Sequence, residues 1–191
     1  MKLRHLRLLY FSALLVVKFT VKFTIVLAPQ TLYVGFFMFA RTLQIPKRSF
    51  FLFGPRATGK TTWLKKMLPN AFMINLLSNE MYFNLLKAPS HLSELVLACD
   101  KKKWIIIDEI QRIPNLLNEV HYLMEDYGYK FVLTGSSARK LKKSQSNLLA
   151  GRAITLKMFP LIREEYKNTF NLNDILSFGS LPIVLNDFEN R

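Results

Sequence analysis

The 191-residue sequence predicts an α/β fold with a mainly parallel five-stranded sheet flanked by helices. Three observations carry that prediction. Short apolar runs alternate with segments of helical period. The first run closes on a glycine-containing stretch that opens a helix. The third run is continuous and β-branched and ends in two carboxylates, as a strand buried on both faces does when it reaches a ligand-binding edge.

Each element has its own signal. Ser49-Phe-Phe-Leu-Phe53 is a short apolar run stopped by Gly54-Pro55, which reads as a buried strand. The spacing predicts a helix from Gly59 to Leu68, halted at Pro69-Asn70, and a second strand from Ala71 to Leu76. Helices are expected at Ser78 to Leu86 and Ser90 to Cys99, divided by Pro89. Lys103 to Ile107 is the β-branched third strand, closed by Asp108. Pro114 fits the first turn of a helix reaching Asp126, with Leu117, Val120, Leu123 and Met124 on one face. Lys130 to Leu133 and Ala153 to Leu156 complete the strands.

Charge is unevenly distributed. Residues before Glu80 carry 12 basic and no acidic side chains; from Glu80 onward the counts are 15 and 13. A uniformly basic nucleic-acid-binding domain does not fit, and nucleic acid is a weakly supported partner. The single cysteine, Cys99, excludes an internal disulfide framework and a paired-cysteine zinc site, so a reducing cytoplasm is the expected compartment.

Residues 1–37 stand apart. Leu8 to Ala28 is mostly apolar and follows Lys2, Arg4 and Arg7, like a signal sequence or a membrane anchor. The unbroken run ends at Val17, too short to span, and Lys18 and Lys22 then interrupt it. Each lysine near the centre of a spanning helix costs roughly 2.5–3.5 kcal/mol. An extension read from an upstream start is the favoured expectation and a membrane anchor the alternative, with an ordinary soluble domain beginning near Met38.

Gly54-Pro55-Arg56-Ala57-Thr58-Gly59-Lys60-Thr61 fits G-x-x-x-x-G-K-[ST], placed between a strand and a helix. The glycines let the backbone wrap phosphate oxygens, so that successive N–H groups converge on an anion at the helix's positive end. Lys60 is placed to reach the β- and γ-phosphates and the Thr61 hydroxyl to ligate Mg²⁺. The nucleotide-binding stretch is taken as Gly54 to Thr62. Thr58 is expected to fill the loop and Arg56 to face solvent.

Asp108-Glu109, 48 and 49 residues after Lys60, forms the second half of a phosphate site. Asp108 is the expected Mg²⁺ ligand, and Glu109 the general base that polarises water against the γ-phosphate. A nucleoside-monophosphate kinase or GTPase does not need such a glutamate. At the end of the fourth strand, Thr134 and Ser136 are equal candidates for orienting that water or reading the γ-phosphate. The other reading is a serine-rich turn capping a helix that starts at Ala138. Arg139, Lys140, Lys142 and Lys143 read as a solvated basic face. Arg152 has two readings, an arginine finger acting in trans or a partner for Glu164 or Glu165.

These stretches, with Trp104-Ile-Ile-Ile-Asp-Glu-Ile-Gln-Arg-Ile-Pro114, Leu133-Thr-Gly-Ser-Ser137 and Leu149-Ala-Gly-Arg152, resemble a prokaryotic family of AAA-like P-loop ATPases. Those proteins carry a C-terminal domain of unknown function after the ATPase module. The resemblance implies an ASCE-type sheet, with the strand after the acidic pair's helix inserted beside the P-loop strand. It also implies ATP and Mg²⁺ as cofactors. It carries the nucleotide motif onto Gly54, Gly59, Lys60 and Thr61, and the metal and base roles onto Asp108 and Glu109. Gln111 matches a glutamine usual in the family, with its role open. Ala57 stands where many AAA loops have glycine, and is expected to be tolerated.

The expected organisation is an extension at 1–37, an ATPase domain at 38–170 and the start of a truncated C-terminal region at 171–191. The expected function is ATP hydrolysis driving a conformational change in an unidentified partner or a missing domain, with a homo-oligomer or protein partner in view. A non-hydrolysing nucleotide-binding module and, behind it, a small-molecule kinase are the alternatives.

Overall fold

Apolar residues alternate between two faces along each strand, and the sheet is covered accordingly. In the computed structural model, which describes residues 39–137, 141, 149–166 and 171–186, five strands pair in parallel. They are β1 (Phe50–Phe53), β2 (Phe72–Asn75), β3 (Trp104–Asp108), β4 (Lys130–Gly135) and β5 (Ile154–Lys157), in the order β2-β3-β4-β1-β5. The strand that follows the acidic pair's helix therefore lies directly beside the P-loop strand, as the resemblance implies. The chain divides into Met1–Met38 and Phe39–Arg191, and every described residue belongs to the second unit. The extension at 1–37 and the run Arg139, Lys140, Lys142 and Lys143 lie outside the described residues. Among the described residues no helix is long and apolar enough to cross a membrane.

Helix α1 (Lys60–Met67) packs Trp63 and Leu64 against Phe50, Leu52, Ile106 and Val132 on one sheet face. The intervening strand residues, Phe51, Phe53, Ile105, Ile107, Phe131 and Leu133, face the other way. Helices α2 (Asn79–Lys87), α3 (His91–Leu97) and α4 (Leu116–Glu125) close that side through Leu85, Leu92, Val96, Leu116, Val120 and Leu123. This two-period division is what a pleated strand buried on both faces requires.

Two boundaries move for physical reasons. β4 runs on to Gly135 because the Gly54 N–H donates to the Gly135 carbonyl at 3.2 Å, which draws Thr134 into the sheet opposite Leu52. The helix expected from Pro114 starts at Leu116 instead, after a separate 3₁₀ turn over Ile110–Arg112. Ile110 and Ile113, both buried, pull that turn inward.

Among the described residues, three short helices, α5 (Arg163–Tyr166), α6 (Leu172–Phe178) and α7 (Pro182–Asn186), follow β5. Glu165, buried at the start of this region, ion-pairs with Arg41 at 3.2 Å and accepts from the Thr42 backbone N–H at 2.9 Å. That contact anchors the segment leading into β1.

Phe51 is fully buried in the centre of the sheet. Phe51→Ala is expected to lower the unfolding free energy by about 3–5 kcal/mol in denaturant titration, by lost burial plus a residual cavity.

Candidate functional site

The carboxyl ends of β1, β3 and β4 converge because the sheet is parallel and these three strands are neighbours. Ligands of open α/β sheets bind at such an edge. After Phe53 the chain turns sharply, and Gly54 has no space for a side chain: a Cβ there would lie 2.0 Å from the Met158 carbonyl oxygen. Gly59, with φ of 84°, closes the loop in the left-handed conformation that glycine adopts freely. Ala57 also lies there, at φ 63°. Alanine is accommodated, as expected, but at a backbone cost of about 1–2 kcal/mol that glycine would not incur.

Within the loop, the Thr58 hydroxyl donates to the Pro55 carbonyl at 2.9 Å and is fully buried, its expected filling role. Arg56 is exposed, also as expected, and Thr62 is exposed at the mouth of the cleft. The Lys60 ammonium spans the loop, donating to the carbonyls of Gly54 at 2.7 Å and Pro55 at 2.8 Å. Burial pulls its pKa below the ordinary lysine value, with Glu109 and then Asp108 opposing that shift and Arg56 adding to it. A partly desolvated cation suits a polyanion, and the two carboxylates near it call for a bound cation to offset their repulsion.

Asp108 is buried at the end of β3, and each of its oxygens has a partner. The Thr61 hydroxyl donates to Oδ2 at 2.9 Å, and the Thr134 hydroxyl donates to Oδ1. The Thr134 oxygen also accepts from the Glu109 backbone N–H at 3.2 Å. Thr134 is thus committed to Asp108, while Ser136 lies 3.4 Å from the Gln111 amide. The two hydroxyls that were equivalent in the sequence occupy different places.

Glu109 follows β3 with φ of 62°, a conformation that a non-glycine residue adopts at a cost. The turn brings Gln111 back beside it, and the Gln111 amide donates to Glu109 Oε2. Arg56, Ala57, Gly59, Lys60, Thr61, Thr62, Leu77, Asp108 and Glu109 line a cleft of about 450 Å³. Leu77, just beyond β2, carried no recognisable signal in the sequence. Gln111 carried one only as a family likeness.

Arg152 takes neither expected intrachain partner. Glu165 is committed to Arg41 and Thr42, Glu164 is exposed, and Arg152 instead pairs with Glu125 at the end of α4. The pairing lowers the Glu125 pKa through the Arg152 hydrogen bond, though both groups are solvent-exposed.

Thr61 and Asp108 offer two hard oxygen donors side by side, which fits a small hard cation completed by phosphate oxygens and water. Among the described residues no cluster of three or more His, Cys, Asp or Glu could hold a metal unaided.

Strand-loop-helix, acidic β3 end and inserted β4 together define the P-loop ATPase class. A family profile described as an AAA domain matches residues 46–167, and the chain belongs to that AAA-domain family. An uncharacterized protein of Methanocaldococcus jannaschii is 29% identical over 171 residues, covering 76% of this chain and 38% of its own length. An uncharacterized protein of Haemophilus influenzae is 29% identical over 82 residues, 43% of this chain and 20% of its own. The chain therefore spans well under half the length of these relatives. Among solved structures, a Walker-type ATPase of Pyrococcus abyssi aligns with a TM-score of 0.47 at 14% identity, covering 70% of this chain and 59% of that one.

Two variants test the geometry. Gly54→Ala is expected to displace the loop and lower the melting temperature, because the clash is with backbone. Thr134→Val, which keeps the shape but leaves Asp108 Oδ1 unpartnered, is expected to cost about 1–3 kcal/mol in denaturant titration, and Thr134→Ser to cost less.

Proposed function

We propose that this chain binds ATP with Mg²⁺ and hydrolyses it, using the energy to drive a conformational change in a partner or an attached domain. The observation that carries the reading is the Thr61–Asp108 hydrogen bond at 2.9 Å, which puts metal-ligand chemistry at the mouth of the phosphate loop, with Lys60 and Glu109 in the same cleft. The backbone from Gly54 to Thr62 and the N-terminus of α1 would hold the triphosphate. Lys60 would exchange its loop carbonyls for β- and γ-phosphate oxygens. Mg²⁺, held through Thr61 and Asp108, would offset charge on the transferred phosphoryl group.

The chain's own residues then carry the chemistry. Glu109 accepts a proton from a water whose oxygen attacks the γ-phosphorus; the bond to the β–γ bridging oxygen breaks, releasing ADP and phosphate. Ser136, which shares the Gln111 amide with Glu109, is the better candidate for contacting that water or the γ-phosphate. Thr134 acts through Asp108. Arg152 can serve as a finger toward a neighbouring subunit by giving up Glu125, since an exposed pair is weakly held.

Glu109→Gln is expected to bind ATP as tightly as the wild-type chain and to release phosphate about 10²–10⁴-fold more slowly, measured by phosphate release and nucleotide titration. Lys60→Ala is expected to lose ATP binding. Equal, background-level phosphate release from the wild type and Glu109→Gln, with binding intact, would instead identify a non-hydrolysing nucleotide-binding module. Turnover that depends on an added acceptor would identify a kinase.

A further inference from the structure

We propose that Gln111 is the positioning residue of this site: its side-chain amide, seated over Gly135 and beside Ser136, holds the Glu109 carboxylate in its working orientation. The inference rests on the hydrolytic reading above and deepens it.

The geometry is specific. Glu109 is the last residue before the 3₁₀ turn, and its backbone is fixed by the N–H bond to Thr134 and by its carbonyl accepting from Arg112 N–H at 2.9 Å. Among the described residues its carboxylate takes a side-chain hydrogen bond from Gln111 and interacts electrostatically with Lys60. The Gln111 amide nitrogen donates to Glu109 Oε2 and lies 3.4 Å from the Ser136 hydroxyl. Reversing the amide would set its oxygen against a carboxylate, so the nitrogen belongs on that side. The amide oxygen is buried against Gly135, where a Cβ would come within 2.4 Å of it. Glycine at 135 is thus what makes room for this side chain. Gln111 spans two strand ends: it touches the base after β3 and the hydroxyl after β4. A base free to rotate spends little time aligned with its water, and small misplacements cost heavily in rate.

The test uses the full chain and compares kcat with KM and with ATP affinity. Gln111→Glu keeps the shape but removes the donor, and Gln111→Leu removes both polar atoms. Both are expected to lower kcat roughly tenfold or more, with KM and ATP affinity within about twofold of wild type. Gly135→Ala is expected to reproduce the loss by displacing the amide. In the Glu109→Gln background, Gln111→Leu is expected to cause no further loss, because a positioning residue acts only through the base it positions.

Wild-type kcat in both Gln111 variants, with Glu109→Gln inactive, overturns the inference and leaves the hydrolytic reading intact. So does a full additional loss in the double variant, which marks a structural role. Wild-type turnover no faster than Glu109→Gln overturns the hydrolytic reading, and this inference with it.

Discussion

A carboxylate taken out of water must be partnered or it destabilises the fold, and in this chain the constraint falls on Asp108. Its two oxygens are held by the hydroxyls of Thr61 and Thr134. One hydroxyl belongs to the helix after β1 and the other to β4, so a single buried charge ties three consecutive neighbours of the sheet together at their ligand-binding ends. The phosphate loop, the acidic strand end and the polar end of β4 cannot shift independently without leaving that charge exposed to an apolar surround. The network that stabilises the edge also arranges donors suited to a cation.

The same edge separates the roles of two carboxylates one residue apart. Asp108 points into the sheet edge and is fully engaged. Glu109, turned through a left-handed backbone, projects past it and is held from the side by Gln111. Adjacent residues of a strand normally face opposite ways; here the strained turn after β3 allows both carboxylates to address one cleft. The buried Ile110 and Ile113 hold that turn in place, so apolar packing maintains a polar geometry.

Much of this architecture was legible in advance. The five strands follow from apolar runs with clear punctuation, and the inserted position of β4 from the family likeness. The loop from Gly54 to Thr61 and the pair Asp108-Glu109 follow from motifs whose spacing has a mechanical reason. Several contacts were not legible. Thr134 and Ser136 looked equivalent because a hydroxyl two residues along a strand end gives no hint of which neighbour it meets. Sequence proximity offers Arg152 Glu164 or Glu165 as partners, beside its reading as an arginine finger, whereas Glu165 is occupied by Arg41 and Arg152 meets Glu125 instead.

The sequence alone determined the local facts: which runs are buried strands, where the chain can wrap an anion, and which carboxylates end a strand. Those depend on neighbours a few residues away, and periodicity and residue chemistry report them. Tertiary structure decided which hydroxyl serves Asp108, that Gln111 touches Glu109, that glycine is needed at 54, and that glycine at 135 leaves room for the Gln111 amide. Each of those depends on atoms from segments tens of residues apart meeting within about 3 Å, a distance set by strand register and packing that no short stretch of chain encodes.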